Sequence, residues 1–418
     1  MTVGTTALTD PAPERRLGWP FWTLVSSSSA SNLADGVLRI GLPLIAVRFT
    51  RSAATIGALE LARSLPWLVL ALPVGALTDR WDRRRAMLSA NGLRIVAASG
   101  LAAALATEAG SLAMLFAAAV LAGVAEVVYD TAAQSILPSV VDRRLLGRAN
   151  SRLAILERGT QEYLAPGLGG FLVGGSIVAA ATAPALLWLI AIVALLALRG
   201  AYRPARAERP ASLRADIGAG IDFVWHRPVL RTLALIVGLG NLTTSATFTV
   251  LVLHAVGSES AMGLSDGAYG TLLLVGGLGA VVGALANEWL VARLGEARTI
   301  RWAAPALLLF SLGPAVSSDP VVVGAVLVAS TFANMTFNIP SVSYRQRVTP
   351  DALLGRVNST FRLVGWGTMP IGALLGGLLG EALGVRAVFV IMTGVAALLI
   401  VPAQLIRPDR MDDDSAAM

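Results

Sequence analysis

Leu145-Leu146-Gly147-Arg148-Ala149-Asn150-Ser151 recurs 208 positions later as Leu353-Leu354-Gly355-Arg356-Val357-Asn358-Ser359. At the same offset Gly159-Thr160 is matched by Gly367-Thr368, and Gly169 by Gly377. At an offset of 209, Asn32-Leu33 is matched by Asn241-Leu242. One match is within the reach of chance in a Leu/Gly-rich chain. Several at nearly one offset, half the length of a 418-residue chain, mean that the second half repeats the architecture of the first. Parallel repeats of this kind, in membranes, are related by an axis along the bilayer normal, with substrate held between the halves near the midplane.

Composition places the repeat in a membrane. Hydrophobic residues make up 55% of the chain and charged residues 14%, against roughly 25% charged in soluble domains. The 42 glycines agree, since Gly is commoner in membrane helices than in soluble ones. A soluble enzyme and a free nucleic-acid binder are thereby excluded. There is no cysteine and only His226 and His254, so no disulfide, thiolate site or histidine metal centre is expected, and no cofactor. There is no lysine; all 33 basic residues are arginine. The polar first twenty residues contain no short apolar core with an A-x-A cleavage site, so no signal peptide is expected.

A spanning helix needs about 20 mostly apolar residues. Dividing the chain at charged and Gly/Pro/Ser-rich breaks gives twelve spans: 21–48, 53–77, 86–107, 111–137, 148–173, 176–198, 229–256, 267–292, 299–317, 320–344, 354–381 and 384–406. The expected fold is all-α and polytopic, twelve helices in two pseudo-symmetric bundles of six. The bundles are 1–198 and 229–418, with polar tails at 1–20 and 407–418. Between them, 199–228 is a linker whose Leu213, Ile217, Ile221 and Val224 fall at helical spacing, as in an amphipathic helix on the membrane surface. Of the arginines in loops, tails and helix ends, 24 fall on one side and three (Arg48, Arg51 and Arg386) on the other. Cationic loops stay in the cytoplasm, so both termini are expected there, in an inner (plasma) membrane with anionic lipids against the basic loops.

Gly75-Ala76-Leu77-Thr78-Asp79-Arg80-Trp81-Asp82-Arg83-Arg84-Arg85 joins spans two and three. It resembles the G-x-L-x-D-R-x-G-R-R/K signature of the major facilitator superfamily, with Asp82 where the family usually has Gly. The resemblance implies a conformational latch at Gly75, Asp79, Arg80 and Arg84 that holds the outward-facing state. Gly159 and Ala165-Pro166-Gly167-Leu168-Gly169-Gly170 in span five resemble the antiporter motif of family exporters, with Ala165 in place of its first Gly. Proline there kinks the helix and Gly169 and Gly170 permit close packing. Many drug–proton antiporters of the family carry an Arg in span four; here that span has Glu126 and Asp130. Asn32 and Asp35 in span one, the basic loop and the R-x-N-S element before spans five and eleven together resemble the branch of the family that contains enterobactin-exporter-like proteins.

Ionisable groups inside spans are costly and are functional candidates by default. Asp35 lies about 18–20 Å from the outer end of span one and Glu126 about 21 Å from that of span four, at 1.5 Å per residue. Burial raises a carboxyl pKa and a nearby Arg lowers it, so such a site can cycle. Asp35 and Glu126 lead as proton-coupling residues, with Asp130 and Glu162 behind them. Asp35/Arg39 and Glu60/Arg63 stand at spacings that also permit pairing along one helix. The second half contributes neutral groups. Asn32, Asn241, Asn338 and Trp366 are expected to contact substrate, the amides because they both donate and accept.

No G-x-x-x-x-G-K-[ST] phosphate loop is present, so transport is expected to be secondary and no enzymatic activity is expected. Three functions fit at this level. The first is a proton-coupled exporter of small amphipathic compounds such as drugs, siderophores or natural products, working as a monomer by alternating access. The others are an importer or facilitator of a polar metabolite, and a non-transporting sensor or scaffold on the same fold.

Overall fold

The breaks between helices are set by caps. Ser111, Ser176 and Ser265 each turn a side-chain oxygen onto the amide three residues on, and start α4 (Leu112–Val140), α7 (Ile177–Ala197) and α10 (Asp266–Leu294). Asp319 does the same ahead of Pro320 for α13 (Pro320–Arg347). Single glycines with positive φ, Gly295 at 82° and Gly384 at 85°, reverse the chain between consecutive helices. The first of these belongs to the Arg293-Leu294-Gly295 turn after α10.

The computed structural model describes residues 17–78, 81–142, 145–200, 202 and 213–411. The remaining helices are α1 (Trp19–Ala46), α2 (Ala53–Thr78), α3 (Arg83–Ala106), α5 (Leu146–Arg158), α6 (Ala165–Gly175), α8 (Leu213–Trp225), α9 (Pro228–Ala255), α11 (Glu296–Ala306), α12 (Leu309–Val316), α14 (Asp351–Leu383), α15 (Val385–Ala397) and α16 (Ile400–Ala403). Each of the twelve apolar segments read from the sequence corresponds to one helix or one broken helix. Among the described residues, ten are long and apolar enough to cross a membrane. The other two are α1, diluted by its serine run, Asp35 and Arg39, and the fifth segment, which is broken. The break has a sequence cause. Between α5 and α6 the chain widens into a π-helical turn, Gly159–Leu164, immediately before Pro166. A proline ring collides with the carbonyl four residues back, and a widened turn relieves that collision.

Within the first half α1 packs on α7, and α3 on α4 and α7; within the second, α9 packs on α14 and α10 on α13. The halves meet where α2 lies on α14 and α6 on α10. Lipid offers helices no hydrophobic reason to associate, so small residues that allow close approach carry much of the contact. The outward surface is apolar, with Leu285, Val321 and Phe171 each more than 70% exposed. Within the segment between the halves lies α8. Of the face expected to be apolar, Val224 is buried and Ile221 exposed, and the side chains of Leu213 and Ile217 lie outside the described residues. Phe223 and Val224 of this helix are buried with Val229 and Leu230 in the second half's core, while Trp225 remains exposed.

Candidate functional site

The two ends of the molecule differ. At the end away from the arginine-rich loops the halves are locked together. Arg48 Nη2 meets Asp266 Oδ2 at 2.5 Å, and Arg51 Nη1 donates to the Val256 carbonyl at 2.7 Å. Glu381 of α14 sits at the N-terminus of α2, accepting from Ser52 Oγ at 2.9 Å and Ala54 N at 3.3 Å, where an anion is favoured. Beneath this layer the Arg39 guanidinium lies 5.5 Å from the Phe248 ring centroid. A void of about 20 Å³ lies there, between Ile40, Glu60, Arg63, Phe248 and Tyr269, and a pocket of about 770 Å³ opens beside the Arg48–Asp266 contact, against Phe171, Val256 and Gly267.

Toward the arginine-rich end a cavity of about 580 Å³ opens between the halves and reaches Arg345 and Gln346 at the end of α13. Drug-sized ligands occupy pockets of ≈ 300–1,000 Å³. The first half lines it with Asn32, Asp130, Gln134 and Glu157, the second with Asn241, Asn338, Arg362 and Trp366. All four residues read from the sequence as substrate contacts therefore face one space. Two of the amides are anchored to backbone: Asn32 Nδ2 donates to Ser28 O at 2.8 Å and Asn241 Nδ2 to Gly365 O at 3.0 Å. Trp366 packs edge-to-face on Trp67 of α2, ring centroids 4.5 Å apart, and makes an aromatic wall across the halves.

The acids expected to carry protons separate into two groups. Asp35 and Glu126 are buried in the first half and do not line the cavity. Asp35 pairs with Arg94 of α3 at 3.1 Å, not with Arg39, the alternative that its i,i+4 spacing permits. Arg94 is fully buried; it also donates to Ser31 Oγ at 2.9 Å and Asn91 Oδ1 at 3.0 Å, and lies over the rings of Tyr129 and Trp188. Glu126 meets Arg63 at 3.3 Å, and Arg63 is held in turn by Glu60 at 2.6 Å, as the i,i+3 spacing predicted. Asp130 is the candidate acid that faces the cavity. Glu162 falls in the π-helical turn, with its side chain outside the described residues.

Arg94 was missed from the sequence, yet it carried a signal. An Asn91-x-x-Arg94 pair inside an apolar span is costly unless something nearby answers the charge. Arg63 and Arg94 together supply, from α2 and α3, the cationic neighbours that span four lacks.

Of the latch residues, Asp79 and Arg80 lie outside the described residues. Gly75 lies in the last turns of α2, with open space where a Cβ would stand. Arg84 donates to the carbonyls of Leu195 and Leu196 at 2.8 and 3.2 Å, the end of α7 in its own half. Asp82, at the position where Gly was expected, caps α3 through Arg85 N at 3.0 Å and accepts from Tyr202 N at 3.2 Å. The substitution therefore has a local structural use. In the antiporter-like segment, Gly159 opens the π-helical turn and Pro166 stands in the first turn of α6. A Cβ on Gly169 would press on Val37 O and Ile40 of α1, and one on Gly170 would strike the Gly270 backbone of α10.

A sequence model of the Major Facilitator Superfamily matches residues 24–369. The multidrug efflux pump Tap of Mycolicibacterium fortuitum is 26% identical over 392 residues, 90% of this chain and 92% of that one. Among solved structures, the nucleoside transporter NupG superposes with a TM-score of 0.74 at 13% identity, covering 93% of this chain and 99% of its own. A bacterial homologue of the iron transporter ferroportin, in an inward-facing state, gives 0.71 at 18% identity, with coverages of 94% and 99%. At such identities the two structures speak to the fold alone.

Proposed function

We propose, from the premise that this chain belongs to the major facilitator superfamily and is a membrane transporter, that it exports small amphipathic compounds in exchange for protons. One observation carries the reading. The cavity is shared by both halves, whereas the buried carboxylate–guanidinium pairs lie within the first half and beside that cavity. Binding and protonation then occupy neighbouring but separate places, as an antiporter requires if one ligand is to bias a conformational equilibrium for the other. Likeness to an efflux pump over nine-tenths of the chain supports export.

In this reading 1–198 and 229–418 are the moving halves and 199–228 their tether. The arginine-rich side faces the cytoplasm, and the structure is the inward-open state. The halves rock between it and an outward-open state in which the Arg48–Asp266 layer parts. The latch at Gly75, Asp79, Arg80 and Arg84 belongs to that second state, which accounts for Arg84 lying on its own half here. Asp35 and Glu126 carry the exchanged protons.

The test is transport of fluorescent amphipathic dyes into everted membrane vesicles with an acidic lumen. Accumulation against the dye gradient that collapses with the pH gradient is expected. Equilibration without dependence on the pH gradient would identify a facilitator instead, and no movement would favour a sensor. Topology is checked on Arg206→Cys in this Cys-free chain. An impermeant maleimide applied to intact cells should leave it unlabelled, and strong labelling would invert the orientation.

A further inference from the structure

The charges facing the cavity are sorted by the half that supplies them. Its lining carboxylates are Asp130 on α4 and Glu157 on α5; its lining guanidiniums are Arg345 on α13 and Arg362 on α14. Asp130 stands about 15 Å from the end of α4 and Arg362 about 16 Å from the start of α14, at 1.5 Å per residue, so they share one level of the cavity. They are not joined. Arg362 Nη1 reaches across and donates to the neutral Oε1 of Gln134 at 3.1 Å, one turn of α4 beyond Asp130. Its guanidinium lies 4.7 Å from the Trp366 ring centroid and 6.0 Å from that of Trp67. Asp130 makes no ion pair among the described residues.

Asp130 and Arg362 thus face each other across the cavity, with an amide between them and an aromatic floor. Neither makes a direct ion pair among the described residues, and a bridging ligand can supply one to both. A ligand with a single charge satisfies one wall and leaves the other desolvated and unpaired, which is penalised. We infer that the cavity selects zwitterions: compounds carrying an ammonium and a carboxylate at opposite ends of an aromatic or amide-bearing body. The ammonium turns to Asp130, the carboxylate to Arg362, and the body lies on Trp366. This deepens the exporter reading and rests on its assignment of the cavity as the substrate site.

The experiment is equilibrium binding to the full chain in lipid nanodiscs, by calorimetry, with two scaffolds in three charge forms. The scaffolds are phenylalanyl-phenylalanine and 4-(aminomethyl)benzoate. Each is tested as the free zwitterion, as its cationic methyl ester and as its anionic N-acetyl derivative. On at least one scaffold the zwitterion should bind about tenfold or more tighter than either singly charged form, a difference of about 1.4 kcal/mol. Asp130→Asn should bring the zwitterion down to the level of the anion and leave the anion unchanged. Arg362→Gln should bring it down to the level of the cation and leave the cation unchanged, while Arg362→Lys keeps the preference. The inference is overturned if the cationic ester binds as well as the zwitterion, if no form binds, or if each variant weakens all forms alike. Zwitterion binding with this pattern but no pH-driven movement in vesicles would instead remove the exporter reading and leave the site standing.

Discussion

Asp35→Asn is expected to abolish pH-driven uphill export in everted vesicles while leaving the protein folded and able to bind. The argument turns on what holds Arg94. Removing one partner of a buried ion pair is usually severe, about 3–5 kcal/mol, because it strands the other charge. Here the stranded guanidinium keeps Ser31 and Asn91 as acceptors and the faces of Tyr129 and Trp188. Those contacts all leave Arg94 Nη2 to position 35, and the amide oxygen that Asp35→Asn introduces still accepts there, at neutral rather than charge-assisted strength, so the variant is expected to fold. That tolerance is also what a transport cycle needs, since protonated Asp35 leaves Arg94 in the same state. Glu126→Gln should be milder, because Arg63 retains Glu60 at 2.6 Å, whereas Asp35 is the carboxylate that pairs with Arg94. The readouts are dye accumulation under an imposed pH gradient and the melting temperature of the purified protein. Full uphill transport by Asp35→Asn would move the proton site to Asp130, the acid already in the cavity. A collapsed melting temperature with normal coupling in the surviving protein would make the pair purely structural.

The helices were legible because a membrane demands long apolar runs and the chain interrupts them with capping and charged residues. Observed ends fall within about three residues of those expected, consistent with the usual fraying of helix boundaries. Sequence spacing also foretold the Glu60–Arg63 pair, which lies along one helix. It failed for Asp35. Arg39 stands on nearly the same face one turn on, but its long side chain runs to Phe248 in the other half, and the carboxylate is answered from α3. A partner 59 positions away in the chain leaves no local trace. The cavity shows the same division. Asn32, Asn241, Asn338 and Trp366 were found because a polar or aromatic residue in an apolar span stands out. That Arg362 would meet Gln134 across the halves depends on how two bundles are seated, which periodicity does not encode.

Gly57→Leu and Gly170→Leu together are expected to reverse the resting conformation and open the face that is closed here. Closure depends on two backbone-to-backbone crossings. A Cβ on Gly57 of α2 would stand 2.8 Å from Gly377 Cα and from Ala373 O on α14, and a Cβ on Gly170 of α6 would strike Gly270 of α10. Real Cβ atoms do not approach so closely, and the obstructing atoms are backbone, so side-chain repacking cannot relieve them. Overpacking costs about 1–3 kcal/mol per site, which corresponds to about a 5- to 150-fold change in the closed-to-open ratio. Moving an equilibrium from 99:1 to 1:99 takes about 5.5 kcal/mol. One leucine should therefore produce a mixture, while two approach reversal if their costs add, as they do for distant sites. Spin labels on Thr50→Cys and Glu259→Cys, at the mouth of that face, report the separation directly. A longer and broader distance distribution in the double variant is expected, with each single variant between it and the parent. The same substitutions should expose Asn338→Cys, in the cavity, to an impermeant reagent added from that side. An unchanged distance distribution accompanied by a lowered melting temperature would mean that the glycines only pack the closed state, and that opening proceeds by a motion which leaves α6 on α10 and α2 on α14.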